Sequence, residues 1–455
     1  MNMRLRYCLS LIMMLSLTVT ASDYDLQKPF GFCTRSSRTS TATSSAYNVT
    51  GGGCWVFPVT NVSSDKVVVL KSTGQDMKNT IQNAIKNYSV IIFDGTDGDF
   101  IISSNVGITN SNRTLLGINN ARLCTKWYVT PEITAALDAA GVPSMSTSSG
   151  TGGKLPNGKN VDEEAEFWTR KIIMEMSGDQ SEGYRNSGLL TVNGAQNIII
   201  RNLKLVGPGS IDVGGSDLLS FVGGAKHCWV DHCDFSDGMD GNFDITQSSD
   251  FNTVSWCTFS YTSRSYMHQN TNLIGSSDSE ATGFLNTTFA FNWWGTGCKQ
   301  RMPMARVGKI HMLNNYFTST TAGNCINPRK NSEFLIEGNY IAAGVKHYYG
   351  EDKATAVTWK NDNYIAEGSI PSSKGSTVTV PYEYSVADNS IVPTEVSTYA
   401  GAKLYTNVDP TGIETVRSPF DARYNAQRPV YNLAGQRVND NARGIVIVNG
   451  KLVVR

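Results

Sequence analysis

The chain has 455 residues and no net formal charge, and charged residues make up only 17% of it. A neutral chain is a poor partner for nucleic acid, so any basic site must be local. The length suits two or three ordinary domains, unless the chain is a repeat protein in which each unit is buried only against its neighbours. The low charge and the abundance of Gly, Ser, Thr and Asn favour a β-rich exported protein.

Residues 1–21 have the pattern of a signal peptide. Arg4 and Arg6 form a basic start, an apolar run extends from Leu9 to Leu17, and small residues precede a cleavage site at Ser22. This run is too short to span a bilayer, and no other stretch approaches that length. We therefore expect an exported protein without a membrane span.

The cysteines outside this segment permit disulfides in an oxidising compartment. No Cys-x-x-Cys pair and no Cys/His spacing resembles a zinc site. A bridge between Cys33 and Cys54, around a Ser/Thr-rich loop, is one possibility. The pairing itself stays open at this point.

The first third of the chain alternates short elements with turns. Met77 to Lys86 has helical spacing, and strand-like runs follow at Tyr88 to Phe93 and Arg113 to Ile118. Residues 125–185 interrupt this pattern with a short predicted helix and a Gly/Ser/Pro-rich loop. We interpret them as an insertion that could lie over a binding groove, because functional segments often occupy long loops.

From Leu189 onward a short unit repeats, with Asn or Cys at one equivalent position. A base period of about 23 residues with occasional insertions is typical of a solenoid. Short β-prone runs without long helices predict a parallel β-helix, in which the equivalent side chains stack from coil to coil. Cys233 and Cys257 would then be neighbours, either free or bridged. The proposed stack contains Asn202, Cys233, Cys257, Asn292, Asn315 and Asn339.

An acidic stretch, Asp231 to Asp244, holds five carboxylates in fourteen residues. Turns capped by Asp explain such a stretch about as well as a site for a hard cation does. Calcium, however, takes several carboxylate and water oxygens. Asp240 and Asp244 have an even spacing, so on a strand both would face the same side. Asp217, one coil earlier, could complete the cluster.

A basic stretch follows at Lys299 to Lys309, with four cationic side chains in eleven residues. A solvated basic loop is the simpler interpretation. Arg301 and Arg306, with Pro303 between them, could instead offer guanidinium groups to an anionic ligand. Arginine holds a carboxylate in a planar fork, which suits an acidic ligand.

Residues 404–455 differ from the repeat. Val430 to Val438 and Gly444 to Lys451 predict short paired strands, and Asn449-Gly450 is a strong type I′ turn signal. We therefore expect a small β appendage after a linker near residues 409–418. Its sequence resembles the C-terminal secretion-sorting modules of some Gram-negative, polysaccharide-degrading bacteria, which implies delivery to the cell surface or medium.

Taken in order, these motifs resemble the pectate lyases of the pectate/pectin lyase superfamily over most of residues 25–404. The resemblance implies an all-β fold, a right-handed parallel β-helix with loop insertions, over residues 22–404. The linker and the small β appendage predicted above occupy residues 405–455. The resemblance also implies cleavage of polygalacturonate by calcium-assisted β-elimination, with 4,5-unsaturated oligogalacturonides as products. The matching stretches are Asn112 to Ile118, Asn197 to Leu203, Trp229 to Cys233, Asp240 to Asp244, Asn272 to Asp278, Arg301 to Arg306 and Val380 to Tyr382.

The resemblance also implies roles for individual cations. Arg301 matches the family's catalytic arginine, and Arg306 matches the arginine that binds the substrate carboxylate. A family lysine has two candidate counterparts: counting forward from the acidic stretch reaches Arg264, and counting back from the next strand reaches Asn270. We prefer Arg264 as a substrate-binding residue, because it keeps the positive charge.

Three carboxylates match the family's calcium ligands. Asp240 and Asp244 correspond to a ligand pair, and Asp217 corresponds to a third in a Gly-Ser-Asp context. Gly215 stands where the family often has a further acid, which would weaken calcium binding. Among the histidines, His268 lies in the ambiguous segment before Leu273 and could line the cleft.

Two alternatives remain at this point. A lyase for methyl-esterified pectin typically lacks calcium in this superfamily, and the three retained aspartates favour the calcium-dependent pectate form. A catalytically inactive β-helix could bind acidic polysaccharide as an adhesin, and Arg301 and Arg306 argue against it. We expect a secreted monomer whose partner is an acidic polysaccharide.

Overall fold

A computed structural model describes residues 28–141, 161–177, 187–211 and 215–411, and four short strands between residues 430 and 454. The predicted signal peptide, the Gly/Ser/Pro-rich loop of the insertion and most of the predicted linker lie outside the described residues. No helix in the described ranges combines the length and the apolar character needed to cross a bilayer.

Three parallel sheets, of ten, seven and nine strands, run along the described chain. The ten-stranded sheet contains β1 (Val67–Lys71), β2 (Val90–Asp94), β5 (Arg113–Ile118), β8 (Gln196–Arg201), β11 (Lys226–Asp231), β14 (Asn252–Ser255), β17 (Thr287–Ala290), β20 (Lys309–Leu313), β23 (Glu333–Glu337) and β25 (Ala356–Trp359). The seven-stranded sheet contains β4 (Val106–Ile108), β7 (Leu190–Asn193), β10 (Leu219–Val222), β13 (Phe243–Ile245), β16 (Leu273–Ile274), β19 (Met304–Ala305) and β22 (Asn327–Pro328). The nine-stranded sheet contains β3 (Phe100–Ile102), β6 (Arg122–Thr125), β9 (Lys204–Val206), β12 (Asp234–Ser236), β15 (Thr258–Ser260), β18 (Trp293–Trp294), β21 (Tyr316–Phe317), β24 (Tyr340–Ile341) and β26 (Tyr364–Ile365).

The order of strands in each sheet follows the chain, so every coil contributes neighbouring rungs to the sheets. This winding is the parallel β-helix that the repeat predicts, and parallel connections of this kind take the right-handed sense. Strand positions alternate between the interior and the outer face. In β13, for example, Phe243 and Ile245 are buried while Asp244 between them is partly exposed. The outer face of the seven-stranded sheet can therefore carry polar side chains.

The interior is filled by side chains stacked at the spacing of the coils. Phe235, Phe259, Trp294 and Phe317 occupy equivalent positions in the nine-stranded sheet, with ring centroids 5.1, 5.4 and 4.9 Å apart. Their planes differ by no more than 15°. The repeat thus buries a continuous apolar column that no single coil could bury alone.

The predicted polar stack forms, with one correction. The backbone nitrogen of Cys257 donates to Asn292 Oδ1 at 2.9 Å, and the same bond recurs from Asn292 to Asn315 and from Asn315 to Asn339. The stack extends one coil further, to Asn363.

Asn202 does not belong to this stack. The strand register aligns it with His232, whereas Leu203 aligns with Cys233. Asn202 and His232 both have a positive φ, near 57° and 48°. Asn202 therefore occupies the left-handed corner just before the stacked position, and its side chain donates to the carbonyls of Gly117 and Leu404.

Helix α1 (Lys78–Asn87) covers the first coils, close to the predicted helical stretch. Its apolar face buries Ile81 and Ile85. The side-chain amide of Gln82 pairs with the backbone of Gly107 in edge strand β4, at 2.7 and 2.9 Å. This contact satisfies edge groups that could otherwise pair with another chain.

The predicted insertion contains helices α2 (Pro131–Ala139) and α3 (Val161–Ser177). Thr130 caps α2 by accepting from the backbone nitrogen of Ile133, and a proline occupies the first turn. Ile133 and Leu137 of α2 pack in one apolar cluster with Ile172 of α3, and with Ile211 and Met239 of the β-helix. The insertion is therefore packed against the acidic stretch itself and against the coil before it.

Helix α4 (Val392–Tyr399) packs on the outside of the later coils, beside Trp256 and Phe291. Near the C-terminus, four strands form an antiparallel sheet in the order β28–β27–β29–β30. This arrangement agrees with the strands predicted there. The strands are β27 (Val430–Tyr431), β28 (Arg437–Val438), β29 (Ile445–Val448) and β30 (Lys451–Val454).

The possible bridge between Cys33 and Cys54 does not form. All eight cysteines in the described residues are free and buried. Cys33 Sγ lies 3.1 Å from the carbonyl of Phe30, and burial raises the pKa of this thiol to about 12. Cys233 and Cys257 are neighbours on successive coils, as predicted, but they are not bridged.

Candidate active site

Several of the predicted site residues come together at the outer face of the seven-stranded sheet. Asp217 precedes β10 by two residues, Asp244 lies within β13, and Arg301 precedes β19 by three residues. Strand pairing places Ser220 of β10 opposite Asp244, and Leu273 of β16 opposite Met304. The β-helix thus brings together side chains that are far apart in sequence.

The three predicted calcium ligands interact electrostatically. Burial, followed by the negative charge of Asp240, raises the pKa of Asp217 to about 7. Burial and then the charge of Asp217 raise the pKa of Asp244 well above its usual value. Arg301 opposes both shifts, so its guanidinium lies close enough to the pair to stabilise their negative charge.

Gly241 lies between two of these carboxylates, those of Asp217 and Asp244. A side-chain carbon placed on it would lie 2.6 Å from Asp217 Oδ1 and 3.3 Å from Asp244 Oδ1. Both oxygens therefore approach the same point above the glycine. Ser220 donates to the other oxygen of Asp217 at 3.1 Å, and the backbone nitrogen of Leu273 donates to Asp244 Oδ1 at 2.9 Å.

The donor set fits a hard divalent cation. Asp217 Oδ1 is a buried oxygen with no hydrogen-bond donor among the described residues. Such an oxygen is costly to leave unpaired, and neighbouring carboxylates repel one another unless a cation lies between them. Across the described ranges, no three Asp, Glu, His or Cys side chains already form a complete ligand set. A cation here would need water or substrate oxygens as further ligands, which calcium accepts readily.

The two arginines of the basic stretch differ in their surroundings. Arg301 has a φ of 62°, an uncommon conformation for a residue other than glycine, and its carbonyl accepts from Asn272 at 2.7 Å. Arg306 follows β19 directly, and its guanidinium donates to the carbonyl of Gly275 at 3.0 Å and to Asp278 at 3.1 Å. The charge of Arg301 acts on Asp217 and Asp244, whereas the guanidinium of Arg306 is paired with the surface acid Asp278.

The structure places Arg264 away from these contacts. Its guanidinium stacks on Tyr128, 4.3 Å from the ring centroid, and donates to the carbonyl of Gly207 at 3.2 Å. The nearest carboxylate in its ion pairs is Asp237, at 4.0 Å. The other candidate, Asn270, bridges Gln300 in the adjacent coil, next to Arg301.

His268 also reaches the site. Its Nε2 lies 3.1 Å from Asp240 Oδ1, and the side-chain nitrogen of Asn270 lies 2.9 Å from the same ring atom. The sequence located His268 in the right segment without indicating this partner. Asp278 and Lys330, which lie 3.8 Å apart beside Arg306, were not singled out at all. No spacing could reveal them, because the pair belongs to different coils.

The fold and this site together define a parallel β-helix protein with carboxylates and arginines on one outer face. Comparison with known proteins identifies the family. A model of the pectate lyase family matches residues 157–405. A probable pectate lyase A of Neosartorya fischeri is 33% identical over 243 residues, which cover 51% of this chain and 70% of that protein. The chain therefore belongs to the pectate lyase family of enzymes.

Two further similarities lie in the same family. Pectate lyase A of Aspergillus niger is 33% identical over 219 residues, covering 46% of this chain and 63% of that protein. A solved pectate lyase from a Bacillus species, in complex with trigalacturonate, is 17% identical with a TM-score of 0.49. That similarity covers 82% of this chain and 98% of the other.

Proposed function

We propose that this protein is a secreted, calcium-dependent pectate lyase that cleaves polygalacturonate by β-elimination. Asp217, Asp240 and Asp244 would hold calcium, and Arg301 would act at the reacting sugar. Arg306 and Arg264 would bind the acidic chain. The observation that carries the proposal is the convergence of these carboxylates and Arg301 on one sheet face, in a member of the pectate lyase family.

β-Elimination requires that the negative charge of the uronate carboxylate be neutralised. Bound calcium would supply positive charge that makes the C5 proton of the sugar more acidic. Arg301, whose guanidinium lies near Asp217 and Asp244, is proposed to take that proton. The electron pair of the C5–H bond forms the C4–C5 double bond, the C4–O bond breaks, and the leaving oxygen gains a proton from water.

Arginine is normally protonated, so its action as a base needs surroundings that disfavour its charge. Bound calcium, by neutralising the carboxylates beside Arg301, would act in that direction. Alkaline pH would help further. We therefore expect turnover to increase with pH across the range in which the protein stays folded.

Arg306 is proposed to bind a substrate carboxylate in exchange for Asp278. Its present contact with Asp278 is an ion pair whose acidic member is 59% exposed. Exposed pairs of this kind contribute about 0–1 kcal/mol, so exchange for a substrate carboxylate is inexpensive. Lys330, 3.8 Å from the same acid, would remain to hold Asp278 after the exchange.

For the rest of the chain we propose a signal peptide at 1–21, a lyase domain at 22–404 and a C-terminal sorting module at 405–455. The interrupting segment 125–185 would be part of the lyase domain. Its helices support this assignment, because they share an apolar cluster with Ile211 and Met239 of the β-helix.

Product identity tests the proposal. The purified protein acts on polygalacturonate and, separately, on methyl-esterified pectin, and the products are followed by ultraviolet absorbance and mass spectrometry. Unsaturated oligogalacturonides from polygalacturonate are expected. Products only from methyl-esterified pectin would favour a pectin lyase, and binding without products would favour a polysaccharide-binding β-helix.

Arg301→Lys separates catalysis from binding. The charge remains but the planar group is lost, so kcat should fall by at least about 100-fold, within the usual contribution of a general base. Affinity for polygalacturonate should change little. Unchanged turnover in this variant would remove Arg301 from the proposed reaction.

A further inference from the structure

His268 lies against one of the proposed calcium ligands. Its Nε2 is 3.1 Å from Asp240 Oδ1, and its side chain is 21% exposed, against 43% for that of Asp240. An ionised carboxylate can only accept hydrogen bonds, so this contact requires the hydrogen on Nε2. The side-chain nitrogen of Asn270 lies 2.9 Å from the same ring nitrogen, and a half-turn of the amide would bring its oxygen there instead, where it could accept from that hydrogen.

A buried serine, Ser210, helps to hold the backbone of His268. Ser210 Oγ lies 2.7 Å from the carbonyl oxygen of His268 and 3.2 Å from that of Met239, the residue before Asp240. The backbone carbonyl of Ser210 accepts from Tyr266 at 2.8 Å and from Met267 at 3.1 Å. One residue of an earlier coil therefore fixes both chain segments that carry the His268–Asp240 pair.

Asp237 supports the same segment from the other side. Its carboxylate accepts from the backbone and hydroxyl of Thr262 and from the hydroxyl of Ser265, all at 2.8 Å. Ser265 in turn accepts from the backbone nitrogen of Ser210 at 3.1 Å. The segment that ends in His268 is thus held in place by hydrogen bonds to Asp237 and Ser210.

The inserted helices also contact the chain segments that carry His268 and Asp240. Tyr266 donates to Asp138 in α2, and Met239 is buried in the apolar cluster of the insertion. His268 has a φ of 60°, a conformation that is costly unless surrounding contacts maintain it. These contacts supply that support.

We propose that His268 is a positioning residue that orients the Asp240 carboxylate toward the cation. The proposal rests on the calcium-dependent function proposed above. Hydrogen-bond partners of ligating groups orient those groups, and their loss typically lowers metal affinity about 10- to 100-fold. The assignment gives the segment before Leu273 a role in the site that does not need Arg264.

Calorimetric titration of the full chain with calcium chloride, in the absence of substrate, tests the assignment. His268→Phe keeps a planar ring but removes the donor, so calcium should bind about 10- to 100-fold more weakly. His268→Gln keeps an N–H donor and should recover most of the affinity. His347→Gln, at an exposed histidine three coils away, is the matched control and should bind calcium as the unaltered chain does.

Activity supplies a second readout. Because His268 acts through Asp240, the turnover lost in His268→Phe should return when calcium is raised in proportion to the loss of affinity. Unaltered calcium affinity in a folded His268→Phe protein would overturn the positioning role. A raised KM for polygalacturonate at unaltered calcium affinity would overturn it too, in favour of direct substrate contact. If the unaltered chain binds no calcium while still cleaving polygalacturonate, the calcium site fails, and the role of His268 fails with it.

Discussion

The stacked asparagines should be among the most costly positions to alter, and Asn315 is the clearest case. It is fully buried. Its Oδ1 accepts from the backbone and side-chain nitrogens of Asn292, at 2.9 and 3.1 Å. Its Nδ2 donates to the carbonyl of Phe289 at 3.0 Å and to Asn339 Oδ1 at 2.9 Å.

The loss of stability expected for Asn315→Ala follows from the hydrogen-bonding groups that would remain without a partner. The backbone nitrogen of Asn292 loses its acceptor inside the protein, which costs about 1–3 kcal/mol. The two bonds donated by Nδ2 are lost as well, each with a net contribution of about 0.5–1.5 kcal/mol. The free energy of unfolding should therefore fall by roughly 2–6 kcal/mol.

Urea unfolding followed by circular dichroism measures this change, provided that the slope of the transition is unaltered. Cys257→Ala is the matched control, because Cys257 occupies the equivalent position with weak sulfur contacts at 3.3 and 3.7 Å. It should lose only about 1 kcal/mol, the value of a small buried group. Equal losses at the two positions would refute the hydrogen-bond argument and leave cavity formation as the cause.

Three further changes test other parts of the structure. Arg201 and Asp231 form a buried ion pair at 2.8 Å. Arg201→Met would leave Asp231 as a buried, partly uncompensated charge, so the free energy of unfolding measured in urea should fall by about 3–5 kcal/mol. Gly241→Ala puts a carbon 2.6 Å from Asp217 Oδ1, so calorimetry should show weakened calcium binding in a protein that still folds. Burial lowers the pKa of His227 from 6.5 to about 4, so the unfolded chain takes up this proton first as the pH falls. The folded protein therefore loses stability as the pH falls from about 6.5 to 4. His227→Gln should make the melting temperature less dependent on pH over this range. An unaltered dependence of the melting temperature on pH would exclude His227 as its cause.

The fold could be predicted because its repeat leaves a direct mark on the sequence. Asn292, Asn315 and Asn339 follow one another at nearly the length of one coil, and each makes the same bond to the next. The prediction placed Asn202 in the same stack, one position from the true register. Both positions favour asparagine, one for its hydrogen bonds and the other for its tolerance of a left-handed backbone, and residue identity alone does not separate them.

Only part of the site could be predicted from the sequence. Asp217, Asp240, Asp244, Arg301 and Arg306 could be selected by their motifs, and their assigned roles stay predictions. The contact of His268 with Asp240 could not be foreseen, because it depends on how residues 262–270 fold against Ser210 and the inserted helices. The position of Arg264 depends on the same local path, which counting along the sequence cannot supply.

The most direct test of the proposed function follows the ultraviolet absorbance of the new C4–C5 double bond on polygalacturonate, first with added calcium and then with excess chelator. A calcium-dependent lyase predicts a steady increase that chelator abolishes and that renewed calcium restores. An increase that is indifferent to chelator would contradict the role of the three aspartates. No increase under any of these conditions, in a protein that is folded and still binds the polysaccharide, would contradict the lyase reaction itself.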